Sequence, residues 1–237
     1  MAGKTIKRFY KQAGFEAAEG GFAIGLDGKP VKTPIGHRLQ VPTRALAEAI
    51  AAEWQAQETE VRPSLMPLTQ LASTALDRVG PERSAIVAQM MDYAGTDLLC
   101  YRADFPPDLV ERQARLWQPL LDWARTTVGA ELAVTAGIVA IAQPAPALAA
   151  LAAHLDGLDV WRLTAAQSAC AATGSLVLAL ALAAGRIDAH QAFALSHLDE
   201  DYQIEQWGED YEAADRRAAL KNDLAAAERL LGLCQAA

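Results

Sequence analysis

Between Asp199 and Asp215 the chain places eight carboxylates, at positions 199, 200, 201, 205, 209, 210, 212 and 215, with no lysine or arginine among them. The whole chain has 29 acidic and 21 basic residues, so outside this segment the two signs balance and the formal net charge of −8 resides here. Carboxylates so spaced can do two kinds of chemistry. They can ligate a hard divalent cation such as magnesium through oxygen, or they can present a surface to the Lys and Arg side chains of a protein partner. A plain solvated helix face is the third reading. His190, His197 and Asp201 share a helix face and sketch a His-His-Asp metal site, but helical ligand pairs usually stand three or four apart, and no further ligand is specified nearby.

On a continuous helix Asp201, Glu205, Glu209 and Glu212 form one acidic ridge, and Ile204, Trp207 and Tyr211 form a separate apolar stripe that would turn Trp207 toward the core. Like charges four apart repel by a few tenths of a kcal/mol, roughly, per pair. A ridge without interspersed lysines is therefore a local penalty. Gly208 is a candidate break that would split it. An indole and two phenols among carboxylates suit recognition of a basic protein surface.

No G-x-S-x-G elbow, Cys-His signature or Walker lysine occurs, so a covalent or nucleotide-hydrolysing enzyme lacks its parts. No cofactor is expected. Gly20, Gly21, Gly25 and Gly28 match no phosphate-loop pattern and read as turn chemistry. A carboxylate-based enzyme dependent on a divalent metal remains the alternative to protein binding.

The elements that must position these residues change in kind along the chain. GGFAIGLDGKPVKTP reads as a hairpin turning at Asp27-Gly28, and RLQVP, 38 to 42, as a further strand. Thr43 is a candidate N-cap for a helix whose Leu46, Ile50 and Trp54 recur on one face. SLMPLTQLASTALDRV continues in helical period to Gly80-Pro81, and PERSAIVAQMMDYAG starts the next helix. DLLCYRADFPPD, 97 to 108, is a turn-rich connector. Pro119 is expected to kink the helix it falls in or to begin a new one. VTAGIVAIAQPAP is an apolar connector, and three Ala-rich helices follow at 146–156, 159–184 and from 188 onward, the last capped by Asp188. The fold class is α+β: a small mixed N-terminal domain, residues 1–62, then an all-α C-terminal domain, residues 63–237.

Composition excludes several classes. A pI near 5.0 with no basic cluster argues against nucleic-acid binding and against acidic membrane surfaces. Leu163 to Gly185 carries no charge, but its strongly apolar part is short, and a buried core helix is expected there. Three cysteines, Cys100, Cys170 and Cys234, lie far apart without paired spacing and read as reduced thiols. The N-terminus has no secretory pattern.

MPLTQLASTALDRV, DLLCYR, LWQPLLDWA and above all SHLDEDYQIEQWG resemble the assembly chaperone family that attends the α subunit of the F-type ATP synthase catalytic head in mitochondria and α-proteobacteria. The similarity runs from FYKQ to the region after Trp207. It implies a non-enzymatic, cytoplasmic chaperone, expected to be a monomer, that holds the unassembled α subunit and covers its β-facing surface. The resemblance places partner binding on Asp199, Glu200, Asp201, Tyr202, Glu205, Trp207, Glu209 and Glu212. The family's Leu-Glu-Glu segment corresponds here to Leu198, Asp199 and Glu200. Asp replaces a common Glu at 199, so the essential carboxylate is Asp199 itself, Glu200 or Glu205. After Gly208 the mitochondrial Glu-Trp-Ala-His-Asp pattern gives way to Glu209-Asp210-Tyr211-Glu212, keeping the charge.

Overall fold

The structure is a computed structural model that describes residues 6–137, 140–208 and 211–235. The chain divides into two compact units, Met1–Arg83 with Arg229–Ala237, and Ser84–Glu228.

In the first unit, β1 (Ile6–Lys7) is followed by the antiparallel meander β2 (Ala13–Ala18), β3 (Gly21–Leu26) and β4 (Lys29–Pro30), and β5 (Gln40–Val41) also pairs with β3. Asp27 and Gly28 both take positive φ, 48° and 77°, as the β3–β4 turn requires. Next comes α1 (Arg44–Gln55), whose Thr43 Oγ1 accepts from Leu46 N at 3.2 Å and donates to Leu233 O at 2.7 Å. Leu46 and Ile50 are fully buried together with Ile24 and Leu39, and α1 packs on β2 and β3. Burying such side chains contributes about 2 kcal/mol each. The short β6 (Glu60–Val61) returns to pair with β1.

The helix α2 (Pro67–Thr74) runs on into a π-helical turn, Ala75–Val79. The buried Glu53 of α1 accepts from Leu68 N and Thr69 N, both at 2.8 Å, and from Thr69 Oγ1 at 2.7 Å. These are orphan donors of the α2 first turn, and a carboxylate there also meets the positive end of the helix dipole. These bonds tie the start of α2 to α1 within the first unit, which includes residues 63 to 83.

The second unit is helical apart from one small ribbon. Its elements are α3 (Arg83–Gly95), a 3-10 turn Leu98–Cys100, β7 (Tyr101–Arg102), α4 (Pro107–Trp123) with a π turn to Val128, β8 (Thr135–Ala136) pairing parallel with β7, α5 (Ala145–Asp156), α6 (Val160–Thr173), α7 (Leu176–Ala183), α8 (Ala189–Ser196), α9 (Leu198–Trp207) and the larger part of α10 (Tyr211–Gln235), whose residues from Arg229 onward belong to the first unit. The expected 159–184 helix is two helices. Gly174 adopts left-handed φ 67° and closes α6, and Ser175 Oγ caps α7 by accepting from Leu178 N at 3.0 Å. Pro119 sits inside α4, which continues past it without a new start. Leu109, Trp117, Leu120 and Leu121 of α4 form a core with Val177, Leu178, Ala181 and Leu198.

At the junction of these elements lies Asp97, fully buried. Its carboxylate accepts from Leu99 N at 3.1 Å, Ser175 Oγ at 2.8 Å and Val177 N at 3.0 Å, tying the 3-10 turn to the start of α7. Burial pushes its pKa up against the lowering effect of those donors. The thiols of Cys100 and Cys170 are buried and unpaired, and burial raises both pKa values, Cys100 to about 12. Among the described residues no helix is long and apolar enough to cross a membrane.

Candidate functional site

The acidic segment begins one residue after a helix break. Asp188 and Gln191 form a capping box that starts α8, and α8 ends at His197, whose backbone leaves helical geometry at φ −110°, ψ 19°. Leu198 then plugs into the core, and Trp117 Nε1 donates to Leu195 O at 2.9 Å just before it. Asp199, Glu200 and Asp201 thus fill the first turn of a new helix, α9, where the macrodipole favours negative charge. Three carboxylates that would burden a helix interior help this one to start.

Their remaining repulsion is offset by partners from distant sequence. Gln113 Nε2 donates to Asp199 Oδ1 at 2.6 Å. Arg112 Nη1 donates to Glu205 Oε1 and Oε2, 3.0 Å each. Tyr202 OH donates to both oxygens of Asp108, at 3.0 and 2.9 Å, and that bond holds the phenol above its usual pKa. From α10, Arg217 pairs with Glu200 Oε2 at 3.0 Å through Nη1 and donates to Asp201 Oδ1 through Nη2. The first-turn carboxylates each commit one oxygen inward. Among the described residues Asp199 Oδ2, Glu200 Oε1 and Asp201 Oδ2 have no intrachain partner.

Phe193 organises the cations beneath. The His197 ring stacks on it at 4.0 Å with an interplanar angle of 17°, while Arg217 and Lys221 lie over the same ring at 5.0 and 4.7 Å. Burial lowers the His197 pKa despite the Phe193 carbonyl and Glu200 nearby. Burial also works against the Arg217 charge, but Asp201 and Glu200 more than offset it and raise its pKa.

The structure therefore gathers Asp199, Glu200, Asp201, Tyr202 and Glu205 on one helix. Trp207 departs from expectation. It is 79% exposed, because α9 ends there: Gly208, at φ 87° and ψ 163°, stops the helix before an apolar stripe can continue to Tyr211. For the same reason Asp201 and Glu205 stand on a helix that does not continue past Gly208. Glu209 lies outside the described residues, and of Glu212 only the backbone, in the first turn of α10, is described. Among the described residues no cluster of three or more His, Cys, Asp or Glu could hold a metal ion. Spacing does not single out Arg112, Gln113 or Arg217, although the sequence turns abruptly basic after Asp215, at Arg216 and Arg217.

A family model described as ATP12 chaperone protein matches residues 7–125. The chain is 30% identical over 235 residues to "Protein atp12, mitochondrial" of Schizosaccharomyces pombe, covering 93% of this chain and 80% of that one. It is similar to the crystal structure of Atp12 from Paracoccus denitrificans, with 44% identity, a TM-score of 0.92, and coverage of 97% and 98% of the two chains. A point mutant of that protein gives 43% identity and the same TM-score of 0.92 over 97% and 98% of the chains.

Proposed function

The chain belongs to the ATP12 chaperone family, and from that membership we propose that it is a non-enzymatic assembly chaperone of the F-type ATP synthase that binds the unassembled α subunit. The binding surface in this proposal is α9, with Asp199, Glu200, Asp201, Tyr202, Glu205 and Trp207, extended by Glu209 and Glu212. The single observation that supports it best is the arrangement of α9 itself: three successive carboxylates anchored through one oxygen and open at the other, on a helix that ends in an exposed indole. Oriented anions beside an exposed aromatic suit a protein surface that carries Arg or Lys next to apolar area.

An unpartnered ring subunit exposes a large interface, and exposed apolar surface aggregates. A chaperone that covers the β-facing interface prevents this until assembly. The proposal takes the chaperone as a cytoplasmic monomer. Coexpression tests the reading. The α subunit is expected to stay soluble and to copurify with this chain, without ATP consumption, and an α subunit that stays insoluble and uncaptured would refute it.

A further inference from the structure

Arg217 stands in an unusual position within the acidic surface. Its side chain is only 11% exposed, whereas those of Glu200 and Asp201, which it holds, are 42% and 37% exposed. It is fixed from below by the Phe193 ring, on which His197 also stacks. The guanidinium therefore does two separable things. It cancels part of the negative field of α9, and its contacts with Glu200 and Asp201 turn one oxygen of each inward and the other outward.

We propose that Arg217 is the specificity-determining residue of the α9 surface, suppressing attachment of arbitrary polycations while presenting Glu200 Oε1 and Asp201 Oδ2 in the orientation that a folded, arginine-bearing partner requires. This rests on the reading of α9 as the α-subunit surface. A flexible polycation responds to the summed field and is indifferent to which oxygen faces it. A folded partner offers its cation at a fixed place and depends on oxygen geometry. Discrimination is a difference between two affinities, and one buried cation acts on both with opposite sign. Lysine at 217 would keep the charge, but an ammonium is a point charge and does not reproduce the guanidinium fork that meets both carboxylates.

The test measures capture of two probes, the ATP synthase α subunit and a deca-lysine peptide, by the wild type, Arg217→Gln and Arg217→Lys, over a salt series. For Arg217→Gln, α-subunit capture is expected to fall about tenfold while deca-lysine binding rises severalfold, roughly, with a steeper salt dependence. Arg217→Lys should bind deca-lysine as the wild type does and capture the α subunit less well. Arg217→Gln strengthening both probes, or moving neither, overturns the proposal. If circular dichroism shows that Arg217→Gln has lost helix, Arg217→Lys decides alone, and undiminished α-subunit capture by it is the refuting result. A wild type that captures no α subunit sinks the client reading instead, and the deca-lysine arm still reports whether Arg217 suppresses polycation binding.

Discussion

A single nitrogen of Arg112 reaches both carboxylate oxygens of Glu205, 93 positions away in sequence, at 3.0 Å each. The pair fastens the exposed side of α9 to α4, with both side chains partly in solvent. Such pairs are worth about 0.2–1 kcal/mol and weaken with salt. A double-mutant cycle with Arg112→Gln and Glu205→Gln, read by denaturant melts at low and high salt, should return a coupling in that range that shrinks as salt rises. A coupling well above it would mean that the pair is shielded from water to a degree its exposure does not suggest.

Trp207 separates binding from folding. An indole that is 79% exposed gives up little packing on truncation, so Trp207→Ala should leave stability within about 0.5 kcal/mol of the wild type. Capture of the α subunit should nevertheless fall, since exposed aromatics at an interface centre often carry more than ~1 kcal/mol of binding. Thermal melts run beside pull-downs decide it. An early-melting variant with normal capture would make Trp207 a structural residue.

Asp97 is expected to be the most sensitive polar position in the helical unit. Asp97→Ala leaves the donors of Leu99, Ser175 and Val177 without their acceptor in a dry site, at a cost of about 3 kcal/mol or more. The pH dependence has a definite sign. The folded-state pKa is raised above its unfolded value, so the folded state binds the proton more tightly, and the associated stability is full below the usual carboxylate range and lost as pH rises through the folded value. The stability of the wild type relative to Asp97→Asn should therefore increase as pH is lowered from about 8 to about 4. A gap that narrows on acidification would show that the three donors outweigh burial.

Magnesium gives an independent check on the carboxylates. Arg217, Arg112 and Gln113 already hold one oxygen each of Asp199, Glu200 and Asp201 and both of Glu205, so a hard cation meets carboxylates whose charge is partly offset and can chelate none of these four through both oxygens without displacing a partner. Isothermal titration with magnesium or manganese is expected to show nothing tighter than about millimolar. A micromolar, saturable site that is lost on neutralising Glu200 and Glu205 would restore the metal-enzyme alternative.

What could be read from sequence follows how local the interaction is. Thr43 and Asp188 were legible as caps because a cap bonds to an amide three residues away. The Asp27-Gly28 turn was legible because positive φ selects few residues. The break at Gly174 was hidden inside an uncharged run, where periodicity is silent. The counter-charges of α9 were out of reach, since Arg217 lies 16 positions from Asp201 and Arg112 lies 93 from Glu205. Spacing puts Trp207 on an apolar stripe but does not say whether anything covers that stripe, and here nothing among the described residues buries the indole.

The buried thiols of Cys100 and Cys170 turn the helical unit into its own stopwatch. With the Cys100 pKa pushed up to about 12 and that of Cys170 also raised by burial, neither supplies appreciable thiolate near neutrality, and thiolate is the form that reacts. An alkylating reagent can modify them only during moments when the packing around α4, α6 and α7 opens. The half-buried Cys234 reports separately. Mass-resolved labelling would then time the breathing of this unit, and comparing free chaperone with chaperone holding its client would show whether occupancy slows that clock.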